Sequence, residues 1–323
     1  MVQRFFLGAN SAQGFYSLYG GFPPGSSAFL HVIKGGPGTG KSSFMRAIGR
    51  EAEQRGQDVQ YVLCSGDPDS LDGVYLPQQK VAWVDGTAPH AREPAAFQVD
   101  SDYVNLGAFC RGPIHGFDAR RIRELLRENR ALNREAGRYL CAAGALTSEP
   151  EPPSPLLLAQ LKELLEPLAA ENTVRDAYTS PRFLHAICCK GELWLTEELL
   201  ALCPRLIRVS QGALDAVRRC GGLRCLSPLC PNRIEALLFP EASLALIDGA
   251  WPLTVELDLS PCAALTQEAA DREAETRRLI DRAVTRLRQA KALHDELEGL
   301  YQRYMDFPAL DRFTQEQLDA LFS

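Results

Sequence analysis

The chain has 323 residues, of which 46% are hydrophobic and 24% are charged, and its formal net charge is −6. This length suits two modules with proper cores, and the composition excludes wholesale disorder. The negative charge disfavours nucleic acid as a partner, because non-specific affinity for it depends on basic residues. No apolar stretch reaches the roughly 18 residues needed to cross a bilayer, and residues 1–7 lack a secretory pattern, so we expect a cytoplasmic protein.

The first element that carries chemistry is a glycine-rich segment after a short apolar run. Residues 28–33, Ala-Phe-Leu-His-Val-Ile, are typical of a buried parallel strand. They lead into the Walker A pattern of residues 35–42: Gly35, Gly36, Pro37, Gly38, Thr39, Gly40, Lys41 and Ser42. In this pattern backbone N–H groups surround the β-phosphate, the lysine reaches the β and γ oxygens, and the hydroxyl binds Mg²⁺. We therefore expect a nucleoside triphosphate to bind here.

Residues 43–55 are predicted to form a helix that begins at Ser43 and directs its positive N-terminus at the phosphates. A second strand is predicted at 58–63, followed by the acidic loop 64–72. In an open parallel sheet this loop emerges at the carboxyl ends of the strands, where ligands bind. Asp67, Asp69 or Asp72 could then act as a general base. Turn formation and helix capping are the slightly favoured alternative for these aspartates.

A third strand is predicted at 80–85, and its last residue, Asp85, is the candidate Walker B carboxylate. Ser42 and Asp85 are therefore the expected Mg²⁺ ligands, and Lys41 and Asp85 the main catalytic candidates. Thr87 and His90 follow the strand and are further candidates for a γ-phosphate sensor or a water-positioning group. No glutamate follows Asp85, so the acid pair that polarises water in many motor ATPases is absent, and fast hydrolysis is not implied.

The chain contains an internal repeat, because residues 68–89 align with residues 231–252 without a gap. Asp85 then aligns with Asp248, and the other identical pairs are Pro68 and Pro231, Pro77 and Pro240, Ala82 and Ala245, Gly86 and Gly249, and Pro89 and Pro252. The openings also match, Arg4 with Arg182 and Gly14 with Gly191. The second copy is shorter, and the missing residues fall on the phosphate loop. Residues 206–214 contain no Gly-Lys-Ser, so we expect one triphosphate site per chain.

Long helical patterns end each copy, at 118–146 with 156–170 and at 268–304. The proline-rich segment 148–155 is predicted to connect two antiparallel helices of an arm, and Thr314 with Gln317 to open a final short helix. Five arginines share one face of the first helix: Arg120, Arg123, Arg127, Arg130 and Arg134. They could form a phosphate-sensing lid or a partner surface, although a solvated face with internal ion pairs is the favoured interpretation.

The chain has ten cysteines but no Cys-x-x-Cys pair, which favours reduced thiols. Cys220, Cys225 and Cys230 are evenly spaced and could bind zinc together with Cys203. Their spacing is at the wide end for structural zinc, so small buried apolar side chains are the favoured interpretation.

These elements predict an α/β fold, a P-loop NTPase-type parallel sheet flanked by helices, present as two related copies with helical arms. The first module is placed at 1–178, with its arm at about 117–176. The second, at 179–323, is a degenerate repeat without Walker A, with its arm at about 264–306.

Four segments together carry a family resemblance: Arg4-Phe5-Phe6 with Gly14-Phe15, residues 34–42, residues 67–76, and residues 85–90. In these segments the chain resembles a family of bacterial P-loop ATPases built as a tandem duplication. Typical members of that family carry a Walker A loop in both copies, and this chain departs from them in the second. The resemblance therefore implies nucleotide-binding residues only at 35–42 and Asp85. It implies ATP as the ligand but no particular reaction.

We therefore expect an Mg-ATP-binding protein, either an ATPase or an ATP-driven switch. One alternative is a small-molecule or nucleotide kinase that uses the acidic loop as its base, and another is a non-catalytic nucleotide-binding scaffold. The lack of an Asn-Lys-x-Asp guanine-reading motif favours ATP over GTP. The helical arms could mediate self-association or contact a protein partner.

Overall fold

The computed structural model describes residues 1–25, 27–89, 92–171, 180–260 and 266–323. In chain order the strands are β1 Val2–Phe6, β2 Gly8–Ser11, β3 Gly14–Ser17, β4 Phe29–Lys34, β5 Val59–Leu63, β6 Leu71–Leu76, β7 Val81–Asp85, β8 Ser101–Asn105, β9 His185–Cys188, β10 Gly191–Trp194, β11 Arg205–Arg208, β12 Leu223–Leu226, β13 Ile234–Phe239, β14 Leu244–Ile247 and β15 Leu257–Asp258. The helices are α1 Lys41–Gln54, α2 Gly116–Ala145, α3 Pro155–Glu171, α4 Thr196–Leu202, α5 Gln211–Val217, α6 Gln267–Gln302 and α7 Phe307–Phe322.

The first sheet has six strands in the order β1-β5-β6-β7-β4-β8. All neighbours are parallel except at β6, which is antiparallel to both β5 and β7. The sheet is therefore mixed: it contains the expected parallel strands together with one antiparallel strand, β6, that was not expected. The physical reason is loop length: residues 64–70 and 77–80 connect these three strands, and such short connections permit hairpins but no parallel crossover.

The second sheet has five strands in the order β12-β13-β14-β11-β15. Its second strand, β13, is antiparallel to both neighbours, whereas β11 is parallel to β14 and β15. This is the arrangement of β5-β6-β7-β4-β8 in the first sheet. Each sheet also has a register irregularity next to its antiparallel strand, between Val62 and Leu63 in one and between Cys225 and Leu226 in the other.

The two sheets are joined by backbone hydrogen bonds and by shared apolar packing. Phe6 and Phe183 exchange two bonds of 2.9 Å each. The N–H of Ala12 donates to the Leu229 carbonyl at 2.9 Å, and the N–H of Cys189 donates to the Gly66 carbonyl at 3.2 Å. Buried residues of both sheets belong to the same core clusters. The sheets are therefore parts of one packed structure.

Helices α2 and α6 pack along each other as an antiparallel pair. Near the start of α2, Ile122 and Leu125 cluster with Leu297 and Leu300 of α6. Near its end the cluster contains Ala136, Leu140, Ala143, Ile280, Ala283, Val284 and Leu287. The connector 148–155 was expected to bring α2 and α3 together as an arm, but α3 packs on α5 instead. The apolar stripe of α2 is covered by α6, which leaves α3 to cover the second sheet.

The final helix begins earlier than the sequence indicated. Thr314 was expected to open it, but α7 begins at Phe307, and the Asp306 side chain caps it by accepting from the Ala309 N–H at 3.2 Å. Thr314 lies inside the helix and donates its hydroxyl to the Leu310 carbonyl at 2.9 Å. Asp306 followed by Pro308 is itself a helix-start signal, which the Thr314 pattern obscured.

Candidate functional site

The phosphate loop connects β4 to α1 at the carboxyl edge of the first sheet. Gly38 has φ 70° and Gly40 has φ 83°. Both angles lie in the left-handed region, which residues other than glycine rarely adopt. Gly40 precedes the first residue of α1, and its carbonyl accepts from the Phe44 N–H at 2.8 Å. Thr39 fixes the curvature by donating its hydroxyl to the Gly36 carbonyl at 2.8 Å. The loop therefore turns directly into the start of α1, with glycines at its two positions of positive φ.

Lys41 lies beneath this loop and is largely buried. Its Nζ donates to the carbonyls of Gly35 at 2.9 Å and Gly36 at 3.0 Å. The same Nζ lies 3.6 Å from Oδ2 of Asp85. The ammonium group is therefore held by carbonyl and carboxylate oxygens, which are the partners that phosphate oxygens could replace.

Asp85 reaches the loop because β7 lies next to β4, with Asp85 paired to Ile33. Its Oδ1 accepts from the backbone N–H of Thr87 at 2.9 Å and from the Thr87 hydroxyl at 2.7 Å. One carboxylate oxygen is thus oriented by Thr87, and the other faces Lys41. The candidate His90 lies outside the described residues.

The Ser42 hydroxyl accepts from the Leu71 N–H at 2.9 Å, and Ser42 lines the same cavity as Asp85. A serine hydroxyl and an aspartate carboxylate are hard oxygen donors of the kind that Mg²⁺ binds together with water and substrate phosphates. The two side chains therefore fit the role of Mg²⁺ ligands in a nucleotide complex.

A cavity of about 1020 Å³ opens above the loop, and we call it the loop cavity. Its floor is formed by residues 35–43 together with Asp85 and Thr87, and its sides include Asn10, Phe15, Arg46 and the acidic loop. Ligand pockets commonly measure about 300–1,000 Å³, so the cavity has room for a nucleotide. The described candidate residues of the triphosphate site, Asp67 included, line this one space.

The aspartates of the acidic loop already have cationic or hydroxyl partners. Asp67 accepts from the Ser70 hydroxyl at 3.1 Å and lies 3.3 Å from Nζ of Lys291. Asp69 is exposed and pairs with Lys190 at 2.6 Å, a hydrogen bond that lowers the pKa of its carboxyl group. Asp72 is buried and accepts from the Tyr19 hydroxyl at 2.8 Å. These contacts match the structural interpretation of the loop more closely than a free general base.

The long helices α2 and α6 form a large part of the wall of the loop cavity, which was not expected from the sequence. From α2 come Leu126, Asn129, Arg130, Asn133, Arg134 and Leu140, spaced along one stripe. From α6 come Leu287, His294, Leu297, Glu298 and Gln302. The helical spacing of Asn129 with Asn133 and of Arg130 with Arg134 was the available signal, since polar pairs four residues apart share a helix face.

Arg130 and Arg134 differ from the other cations of the cavity because neither forms a hydrogen bond or ion pair with another described residue. Arg46, in contrast, donates to the Asp69 carbonyl at 2.5 Å, and Lys41 donates to the carbonyls of Gly35 and Gly36. The two arginines are therefore available to an anionic ligand in the cavity.

The corresponding edge of the second sheet has no loop of this kind. In the first sheet, residues 35–40 separate β4 from α1, whereas only Val209 and Ser210 separate β11 from α5. The Ser210 hydroxyl caps α5 by accepting from the Ala213 N–H at 3.3 Å. The place of a phosphate loop is therefore taken by a tight helix cap.

A carboxylate pair, Asp248 and Glu235, is buried at this edge of the second sheet. Burial and the nearby charge of Glu235 raise the pKa of Asp248 to about 8. The Arg208 charge and the Ala250 N–H oppose this shift without cancelling it. His185 lies 3.2 Å from Glu235 and stacks on Trp194 with ring centroids 3.6 Å apart.

The raised pKa of Asp248 predicts a pH-dependent stability. The pKa of this carboxyl group is about 3.9 in the unfolded chain and about 8 in the folded chain. Between these two pH values the folded chain holds a proton that the unfolded chain releases. The free energy of unfolding therefore falls as pH rises, by up to about 1.4 kcal/mol per pH unit. Asp248→Asn should flatten this slope and stabilise the chain at pH 8. Denaturant unfolding at pH 5 to 8 measures it, with the exposed Asp281→Asn as control. An unchanged slope in Asp248→Asn would contradict the assignment.

The cysteines of the proposed zinc group do not converge. Cys203 and Cys225 are buried in the apolar core, where burial raises the pKa of each thiol to about 12. Cys230 instead lies 3.7 Å from the Thr147 hydroxyl. Within the described ranges, no three His, Cys, Asp or Glu side chains form a metal-ligand group.

Comparison of the chain with protein-family models, with curated proteins and with solved structures found no match. None of the helices in the described part of the chain has the length and apolarity needed to cross a membrane. The geometry of the loop cavity is therefore the basis for assigning a function to the chain.

Proposed function

We propose that the chain binds one Mg-ATP in the loop cavity and acts as an ATPase or an ATP-driven switch in the cytoplasm. The observation that carries the proposal is the contact of Lys41 with Asp85, at 3.6 Å, beneath a loop in which Gly38 and Gly40 have positive φ. The motif lysine is the first residue of α1, whereas the candidate metal-orienting carboxylate is the last residue of β7. Their contact depends on the sheet order and not on the motif alone.

Each loop residue has a distinct role in this proposal. Backbone N–H groups of residues 38–43 surround the β-phosphate at the N-terminus of α1, where the helix dipole favours negative charge. Lys41 exchanges the Gly35 and Gly36 carbonyls for phosphate oxygens. Ser42 and Asp85 hold Mg²⁺, and Thr87 orients Asp85. The bound metal ion supplies charge neutralisation on the phosphates.

Arg130 and Arg134 would contact the phosphates from the opposite wall of the cavity, as a lid contributed by α2. We expect the double variant Arg130→Ala/Arg134→Ala to weaken Mg-ATP binding by about tenfold, because two unpaired guanidinium groups attract the triphosphate. Calorimetric titration measures the dissociation constant. The matched control is Arg123→Ala/Arg127→Ala on the same helix, away from the cavity. Equal weakening by both double variants would contradict a local role.

We further propose that the two sheets are copies of one ancestral unit. The repeat register of the sequence places the start of β6, Leu71, on the start of β13, Ile234, and the start of β7, Val81, on that of β14, Leu244. The shared strand order and the shared register irregularities support the same interpretation. Because the second copy has a helix cap in place of the loop, we expect one nucleotide per chain.

The kinase alternative is less well supported, since Lys291 and Lys190 pair with Asp67 and Asp69, two of the three candidate bases. The third, Asp72, is buried and accepts from the Tyr19 hydroxyl. A cation beside a carboxylate lowers its basicity and with it its value as a general base. The scaffold alternative predicts binding without turnover.

One experiment separates these functions. Nucleotide-free protein is titrated with Mg-ATP and Mg-GTP by calorimetry, and the product of γ-labelled ATP is then analysed with and without a panel of hydroxyl acceptors. We expect tighter binding of ATP, a stoichiometry of one, and label recovered as inorganic phosphate. Two nucleotides per chain would contradict the proposed loss of the second loop, and label transferred to an acceptor would favour the kinase.

A further inference from the structure

A continuous row of arginines lies along α2, and most of it is outside the loop cavity. At about 3.6 residues per turn the row occupies an arc of about 80° of the helix surface. Its members, which we call the arginine row, are Arg120, Arg123, Arg127, Arg130, Arg134 and Arg138. All six are exposed, and Arg130 and Arg134 line the loop cavity whereas the other four do not. A nucleotide in the cavity therefore accounts for two of the six.

The arginine row is not neutralised by the acidic residues of its own helix. Glu124 pairs with Arg121 at 3.7 Å, and Glu135 pairs with Arg286 of α6 at 3.0 Å. Among the residues that the structure describes, none forms an ion pair or a hydrogen bond with a side chain of the row. The ion pairs that the sequence suggested for α2 are therefore made by Arg121 and not by the row.

Neighbouring members of the row repel one another. Each lies three or four residues from the next, and like charges at this spacing destabilise a helix. At the positions three and four residues away, Arg123, Arg130 and Arg134 have arginine or uncharged side chains and no acidic residue. An anionic ligand lying along the row would relieve this repulsion.

The shape of the row indicates the kind of anion. From Arg120 to Arg138 it is about 27 Å long and has one cation for each helical turn. A strand of a nucleic-acid duplex winds once around its axis in about 34 Å, so a straight row can follow it for only part of a turn. A single strand can lie along the whole row. A linear polyanion with regularly spaced charges therefore fits best.

An exposed aromatic ring lies one turn before the first arginine. Phe117 is 71% exposed, although phenylalanine is apolar. Proteins that bind single-stranded nucleic acid combine a cationic track for the phosphates with aromatic rings on which bases stack. Phe117 and the arginine row have this combination.

An acidic protein segment fits the row less well. Protein interfaces have an apolar core, whereas nucleic-acid interfaces are more polar and far more positively charged. No large apolar side chain of α2 after Phe117 is exposed, and this whole helix belongs to the described residues. The net charge of −6 is an average over the chain, but release of counterions depends on the cations at the contact.

We propose that the arginine row binds the phosphate backbone of a single-stranded nucleic acid, with a base stacked on Phe117. This ligand is additional to the nucleotide of the proposed function, since four of the six cations lie outside the loop cavity.

The test titrates full-length protein, without nucleotide, into fluorescein-labelled single-stranded RNA and DNA of about 12 nucleotides. Fluorescence anisotropy gives the affinity at salt concentrations of about 50–200 mM. The variants are Arg123→Ala/Arg127→Ala, which shortens the row, and Phe117→Ala. Circular dichroism establishes that each variant folds. An unlabelled duplex of the same length and poly-glutamate are the competitors.

The matched control is Arg277→Ala/Arg278→Ala on α6. It makes the same change in net charge at two exposed arginines, but these are paired with Glu273 and Glu275. Its affinity for both strands should equal that of wild type.

We expect wild type to bind a single strand and Arg123→Ala/Arg127→Ala to bind it about tenfold more weakly at about 50 mM salt. The slope of log affinity against log salt should become shallower by about 1.4, because each phosphate contact on a single strand contributes about 0.7. Phe117→Ala should also weaken binding about tenfold but leave the salt slope unchanged, because stacking releases no counterions.

Four results would overturn the inference: no binding of either strand by wild type, equal weakening by the α6 control, stronger competition by the duplex than by the unlabelled single strand, or equally strong competition by poly-glutamate. The last would assign the row to an acidic protein segment. Each of these results leaves the proposed function intact, because no nucleotide is present and binding of Mg-ATP is measured separately.

Discussion

Lys41→Ala is expected to weaken Mg-ATP binding by about 100-fold or more. The lysine is largely buried beneath the loop, where its ammonium group has the Gly35 and Gly36 carbonyls and Asp85 as partners. A hydrogen bond to a charged group is worth about 1.5–3 kcal/mol, and two such bonds to phosphate oxygens account for a loss of this size. The measurement is the dissociation constant of Mg-ATP by calorimetry, with circular dichroism to establish that the variant folds.

The control for this prediction is Lys162→Ala, which removes the same charge from an exposed position of α3. It should bind Mg-ATP as wild type does. Retention of wild-type affinity in Lys41→Ala would place the nucleotide somewhere other than the loop cavity, and the proposed function would fall with it.

Asp85→Asn is expected to lower the turnover of ATP by about 10²–10³-fold, while binding changes much less. The asparagine keeps the shape and the contacts to Thr87 but loses the charge that orients the metal ion. Electrostatic groups aimed at developing charge in a reaction are commonly worth about this much in rate. Release of inorganic phosphate at saturating Mg-ATP is the measurement, and removal of Mg²⁺ with a chelator should have a comparable effect on wild type.

The chain provides its own matched control for this variant. Asp248 is the aligned residue of the second sheet, and it lies at the end of β14 as Asp85 lies at the end of β7. Asp248→Asn should leave turnover unchanged. A wild-type rate in Asp85→Asn would remove the aspartate from the metal-binding role. A wild type that binds ATP without any turnover would favour the scaffold alternative.

The sequence predicted the elements whose determinants are local. The strand before the loop, the helix after it and the strand ending at Asp85 were expected at 28–33, 43–55 and 80–85, and they are observed at Phe29–Lys34, Lys41–Gln54 and Val81–Asp85. Each combines an apolar run with a clear boundary residue, so neighbouring positions suffice to define it. The three long helices α2, α3 and α6 were likewise located to within about two residues.

What the sequence did not predict depends on pairing between distant segments. The strand β6 was not predicted because Leu71–Leu76 contains Asp72 and Gly73, two residue types that are unusual in strands. Pairing with both β5 and β7 stabilises the strand in spite of these two residues. The pairing of α2 with α6 and the contact of Glu298 with Gly38 each join two segments that are far apart in the sequence. In both cases the strands of the second sheet lie between the two segments along the chain. Neither has a local signature, since a glutamate on a helix is as suitable for solvent as for a contact with a loop.

The hydrogen bonds that join the two sheets have a consequence for the origin of the chain. The repeat aligns Gly14 with Gly191 and Asp85 with Asp248. In the first register Ala12 corresponds to Cys189, and in the second Gly66 corresponds to Leu229. The hydrogen bond from Ala12 to Leu229 therefore has a counterpart in the bond from Cys189 to Gly66, and both bonds are present. Such exchange is the signature of a two-fold symmetric interface, in which each partner offers the same patch. If the proposed duplication is correct, the chain corresponds to a homodimer fused into one polypeptide. Its second half could then lose the phosphate loop without loss of the fold, because it still provides one side of the interface.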